Sequence, residues 1–189
     1  MCKAKLLHKA STLPEEIDWH LIGALQTNKC RAVARLIPNL WAVESVDDIK
    51  KAKALNIGRK ELISSIPDAK KLRVYVQVNT SGEASKSGCD PKAAIDIAKC
   101  IIKECENLTL HGLMTIGSFT ESMGEDENRD FKKLVGIKEE VENELKKSGL
   151  QLSTGLELSM GMSGDFEEAV KQGANNVRVG TAIFGERLR

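Results

Sequence analysis

Aromatic residues are scarce in this chain, at 4% of 189 residues with a single tyrosine. A surface that stacks on bases needs several of them, so single-stranded nucleic acid is not an expected ligand. An excess of charge of either sign is missing too. The 28 basic and 27 acidic residues leave a formal net charge of +1. That gives neither a basic footprint for nucleic acid nor a pull on an acidic partner. Paired cysteine spacing is lacking as well. Cys2, Cys30, Cys89, Cys100 and Cys105 are odd in number and contain no Cys-x-x-Cys. This argues against a disulfide framework or a zinc site and for reduced intracellular thiols. No apolar run reaches bilayer-spanning length. The start, Met1-Cys-Lys-Ala-Lys-Leu-Leu-His-Lys9, carries charge without the apolar core of a signal peptide. The expectation is a cytoplasmic protein with no membrane and no nucleic-acid partner.

What is present is ordinary globular material, 41% hydrophobic and 29% charged, arranged as alternating strand and helix patterns. Residues 3–12 read as a helix with Leu6, Leu7 and Ala10 on one side. Strands are expected at Trp19 to Gly23, Leu40 to Ser45, Leu72 to Asn79, Leu108 to Ile116, and near residues 159 and 178. Helices are expected at Leu25 to Leu36, ending before Pro38, and from Val46 to Asn56. The stretch 57–71 is undecided, because Gly58 and Pro67 break any long element. Asp90 caps a further helix with Pro91 in its first position. The longest helix runs from about Glu127 to Lys147, burying Phe131, Leu134, Ile137, Val141 and Leu145. Such alternation means βα units and a parallel sheet. Six strands fall two short of a closed eight-stranded βα barrel.

Two stretches carry the chemistry. Glu157-Leu-Ser-Met-Gly-Met-Ser-Gly-Asp-Phe166 and Asn176-Val-Arg-Val-Gly-Thr-Ala-Ile-Phe-Gly185 each run from a strand into small residues and then a helix start. Backbone donors, a hydroxyl and missing side chains at adjoining strand exits make a phosphate cradle, built from Ser163, Gly180 and Thr181. The structural alternatives are an N-cap role for Ser163 on the helix after Gly164, and plain turns at the glycines. Asp165 stands close to that cradle, favourable to the helix dipole but unfavourable to a phosphate. His20 on its strand reads as a hydrogen-bonded core residue, and His8 and His111 have no acidic or cysteine companions for a triad or metal site. Gly180-x-x-x-x-Gly185 is followed by Glu186 and is no Walker loop; Gly161-x-x-Gly164 is too short for a dinucleotide fingerprint.

Trp19-His-Leu-Ile-Gly-Ala-Leu-Gln-Thr-Asn-Lys29, Val43-Glu-Ser-Val-Asp47, Val76-Gln-Val-Asn-Thr-Ser-Gly-Glu83, Gly112-Leu-Met-Thr-Ile-Gly117, Leu158-Ser-Met-Gly-Met-Ser163 and Val177-Arg-Val-Gly-Thr-Ala-Ile-Phe-Gly-Glu-Arg187 cover nearly the whole chain in order. Together they resemble the pyridoxal phosphate homeostasis proteins, relatives of the barrel domain of alanine racemase. The resemblance implies a parallel α/β TIM-type barrel of the alanine racemase N-terminal type, as a single domain over 1–189. It implies pyridoxal 5′-phosphate as cofactor and a non-enzymatic carrier or regulator in vitamin B6 homeostasis. It implies Arg178 at the ring nitrogen, where a cation discourages protonation of the pyridine. It also implies that the loop holding Asn79, Thr80 and Lys86 borders the cofactor, with Met114 and Thr115 at the same mouth; for Met114 core packing is the better reading. The candidate cofactor-binding residues are therefore Ser163, Arg178, Gly180, Thr181, Asn79 and Met114. The family carries its cofactor as a Schiff base on a lysine of the first barrel strand, and a second strand with a Gly-Glu-Asn motif follows. No lysine here sits in that context, so a truncated form lacking the first two strands is expected. Racemisation would also need a tyrosine from a second domain, whereas Tyr75 lies inside a strand. A monomer, or weak self-association through exposed strand edges, is expected. Two rivals remain: a non-binding scaffold or partner isoform, and a phosphate-binding barrel enzyme.

Overall fold

The computed structural model describes residues 2–83, 87–117 and 127–186. Six strands alternate with helices: β1 Trp19–Leu21, β2 Leu40–Val46, β3 Leu72–Gln77, β4 Leu108–Met114, β5 Glu157–Met162 and β6 Asn176–Arg178. The described helices are α1 Cys2–Thr12, α2 Thr27–Leu36, α3 Ile49–Ser65, α4 Pro91–Glu104, α5 Arg129–Lys147, α6 Phe166–Lys171 and α7 Thr181–Phe184. All neighbouring strands pair in parallel, in the order β1 to β6. This is the expected barrel order, with β1 and β6 as the two sheet edges.

The outer sheet face is covered by helices, as the faces of parallel sheets usually are. Leu72, Val74 and Val76 on β3 point outward into the main core, where Phe131, Leu134 and Val141 of α5 are fully buried. The inner face carries a smaller apolar cluster of Ala42, Tyr75 and Met114. Above it the inner face turns polar. Glu44 on β2 accepts from Ser159 on β5 at 2.5 Å and from Asn176 on β6 at 3.0 Å. Strands in a flat sheet lie about 4.8 Å apart, so β2 and β5 would stand roughly 14 Å apart. Those contacts therefore mean that the sheet is curled like part of a barrel.

Helix starts follow local chemistry. The Asp48 carboxylate accepts from the Lys50 N–H at the start of α3, and Asp90 does the same for Lys92 at α4, where Pro91 supplies the first position. Asn128 accepts from the N–H groups of Asp130 and Phe131 to open α5. The break expected around Gly58 does not occur. α3 runs straight through it to Ser65 and stops before Pro67. A Cβ on Gly58 would lie 2.1 Å from the carbonyl oxygen of Arg31. The glycine is therefore needed for the close approach of α2, and not for a turn.

Candidate functional site

A cavity of about 820 Å³ opens where β1, β5 and β6 end. Ser163, Arg178, Gly180 and Thr181 line it, together with His20 and Glu44. Four of the six expected residues therefore share one space. The Ser163 hydroxyl oxygen accepts from the N–H of Gly180 at 3.1 Å and of Ala182 at 3.4 Å. The two strand exits thus meet at that oxygen. A Cβ on Gly164 or Gly180 would meet nothing within 4 Å, so the backbone is open to a close-lying anion there. Ser163 does cap a helix, but it is α7 and not α6. The cap position of α6 is Asp165, which makes no side-chain cap bond to that helix. Its carboxylate turns back instead and accepts from the Met162 N–H at 2.6 Å.

Arg178 is held at both terminal nitrogens. Nη1 donates to Ser159 Oγ at 2.9 Å and Nη2 to the Thr115 carbonyl at 2.8 Å. Burial presses its pKa below the ordinary guanidinium value, while the Glu44 and Asp165 carboxylates push the other way. Glu44 is fully buried. Burial alone would raise its pKa; hydrogen bonds from His20 and Ser159, with the charges of His20 and Arg178, outweigh it and hold Glu44 below the usual carboxylate value. His20 Nδ1 lies 2.5 Å from Glu44 Oε1, and the imidazole keeps about a third of its surface at the cavity (32%). It also stacks on Trp41 with ring centroids 4.6 Å apart. Glu44, Ser159 and Asn176 were not singled out from the sequence. A signal existed for Glu44, a carboxylate inside the apolar run Leu40–Val46, because buried acids are nearly always paired.

Two expected residues lie elsewhere. Met114 is fully buried against Ala42 and Tyr75, the packing role that was its better reading. Asn79 folds its own loop: Oδ1 accepts from Ser81 Oγ and the Gly82 N–H, and Nδ2 donates to the Glu83 carbonyl. Thr80 and Thr115 join through their hydroxyls at 2.9 Å. Lys86, residues 118–126 of the polar loop and Arg187 lie outside the described residues. His111 does have an acidic companion, since its Nε2 is 3.3 Å from Glu157 Oε1. That partner comes from β5, which local spacing did not disclose. Cys30, Cys89, Cys100 and Cys105 are free and buried. Among the described residues no group of three or more His, Cys, Asp or Glu could hold a metal, and no helix is long and apolar enough to cross a membrane.

The family described as alanine racemase, N-terminal domain, matches residues 10–188. A pyridoxal phosphate homeostasis protein of Schizosaccharomyces pombe is 42% identical over 183 residues, 97% of this chain and 71% of that protein. Its human counterpart is 44% identical over 191 residues, covering 97% of this chain and 65% of the human protein. The chain thus spans about two thirds of the length of these relatives. Among solved structures, PipY of Synechococcus elongatus with PLP bound superposes with a TM-score of 0.70 at 26% identity, covering 97% of this chain and 77% of that one. The chain belongs to the alanine racemase N-terminal domain family, and within it to the pyridoxal phosphate homeostasis proteins.

Proposed function

We propose that this chain binds pyridoxal 5′-phosphate in the cavity between β1 and β6 and serves as a non-catalytic carrier in vitamin B6 homeostasis. The observation that carries the reading is the meeting of Ser163 Oγ with the N–H groups of Gly180 and Ala182, in a cavity that also holds Arg178. The residues fit the group. The hydroxyl and the strand-exit amides suit a phosphate, and the missing Cβ atoms of Gly164 and Gly180 leave room for it. Arg178 would stand at the ring nitrogen. Its fixed cation would keep that nitrogen unprotonated and would weaken the ring as an electron sink, which suits storage better than carbanion chemistry. When bound, the cofactor supplies an aldehyde on an electron-poor ring. Among the described residues no lysine lines the cavity, so weak, non-covalent binding by this chain is part of the proposal.

The chain's one tyrosine, Tyr75, does not line that cavity. The Tyr75 hydroxyl is buried on the inner face and donates to Glu157 Oε2 at 2.7 Å. Burial, followed by the Glu157 hydrogen bond, holds it far above the ordinary phenol range. A proton held so firmly suits a structural hydrogen bond. The relatives named as pyridoxal phosphate homeostasis proteins, and PipY with PLP bound, support the cofactor assignment. The test is a titration with pyridoxal phosphate read by quenching of Trp19 and Trp41. Saturable binding weakened about tenfold by Arg178→Ala, the scale of a lost charge-assisted bond, is expected. Binding indifferent to both Arg178→Ala and Ser163→Ala would overturn the assignment.

A further inference from the structure

Glu44 lies mid-strand on β2, on the inner face and fully buried. A carboxylate in such a place is strongly unfavourable unless it is paired. Here three side chains from three strands supply donors. His20 comes from β1 at 2.5 Å, Ser159 from β5 at 2.5 Å and Asn176 from β6 at 3.0 Å. β1 and β6 are the two edges of the sheet and share no ladder. Glu44 joins them across the inner face, at the wall of the cavity.

Proton counting at Ser159 gives a second consequence. Its hydroxyl owns one proton, which goes to Glu44 Oε2. The oxygen is then left to accept, and it accepts from Arg178 Nη1 at 2.9 Å. A carboxylate at the far end of the chain polarises the hydroxyl and strengthens that acceptance. The Thr115 carbonyl fixes the other terminal nitrogen at 2.8 Å. We propose that Glu44 is the positioning residue of this site: acting through Ser159, it fixes the Arg178 guanidinium at the spot where the cofactor ring nitrogen would lie. The proposal rests on reading the cavity as the pyridoxal phosphate site.

Its test begins without cofactor. Guanidinium N–H signals of Arg178 are recorded by nitrogen-15 NMR of the whole chain and identified by their loss in Arg178→Ala. The parent should show separate, slowly exchanging signals, because both terminal nitrogens are bonded. Ser159→Ala and Glu44→Gln should collapse them toward the averaged signal of free arginine while the backbone spectrum stays dispersed. Unchanged Arg178 signals in both variants would refute the positioning role. Should Glu44→Gln fail to fold, Ser159→Ala decides, since it removes a hydroxyl and no charge. Pyridoxal phosphate titrations then read the consequence. Ser159→Ala should weaken binding about tenfold in the parent and less than about twofold in Arg178→Ala, with inorganic phosphate affinity unchanged. Equal losses in both backgrounds would show that Ser159 acts on packing rather than through Arg178, and would overturn a relay from Glu44 through Ser159. If the parent binds neither pyridoxal phosphate nor inorganic phosphate, the cavity reading fails, and the NMR signals still decide the positioning claim.

Discussion

The same substitution, Gly→Ala, should have opposite signs at two helix positions. Gly58 lies inside α3 and Gly136 inside α5. Alanine is favoured over glycine in a helix interior by about 1 kcal/mol. At Gly136 a Cβ would meet nothing within 4 Å, so the whole gain should appear. At Gly58 it would lie 2.1 Å from the Arg31 carbonyl oxygen and 2.8 Å from its carbon. These are backbone atoms, so no rotamer change relieves the clash, and α2 must move away by more than an ångström. Forced repacking of this kind costs about 3 kcal/mol, at the upper end of the usual range. The net effect of Gly58→Ala is then a loss of about 2 kcal/mol. For a chain of this size that lowers Tm by roughly 4–8 °C, while Gly136→Ala raises it by about 2–4 °C. Urea unfolding followed by circular dichroism should give the same signs. A Tm gain for Gly58→Ala matching that of Gly136→Ala would show that propensity alone governs both sites and that the α2–α3 approach is looser than described.

Borohydride reduction after incubation with pyridoxal phosphate, followed by peptide mapping, should give scattered, substoichiometric lysine labelling; stoichiometric labelling of one lysine would refute the non-covalent reading. Glu44 is held below its ordinary value in the folded state, so the unfolded chain binds more protons in acid. Its stabilising contribution is complete above the unfolded value of about 4.3 and is lost as pH falls through the folded value. Urea titrations from pH 6 to pH 3 should therefore show the parent losing more stability than Glu44→Gln, and identical slopes would contradict the buried pairing. Tyr75→Phe removes a buried hydroxyl bonded to Glu157 and should lower stability by about 1 kcal/mol in the same assay; an unchanged midpoint would mean that this bond adds nothing.

How much of this was legible in the sequence depended on how local the cause was. Strands such as Leu72–Gln77 announced themselves because β-branched, aromatic and aliphatic residues cluster there within a few positions, interrupted only by Arg73 before Gln77. The meeting of the two strand exits at Ser163 was legible because each half is a strand running into small residues within ten positions. The second half of α3 was not, because Gly58 carries a helix penalty whose reason, the Arg31 carbonyl, sits on another helix. The Glu44 relay was hidden for the same reason. Its partners Ser159 and Asn176 are 115 and 132 residues away in the chain, and only the curl of the sheet brings them together. Met114 was among the candidates at the mouth because it ends a strand, with core packing the better reading, and the register with Gln77 sets it against Tyr75 and Ala42 in the packed floor.

The most direct test of the account is a crystal structure of this chain with pyridoxal 5′-phosphate. The prediction is a phosphate within about 3 Å of Ser163 Oγ and the Gly180 N–H, and a ring nitrogen facing the Arg178 guanidinium. A cofactor bound outside the cavity between β1 and β6, or lying in it with its phosphate away from Ser163 and Gly180, would contradict it.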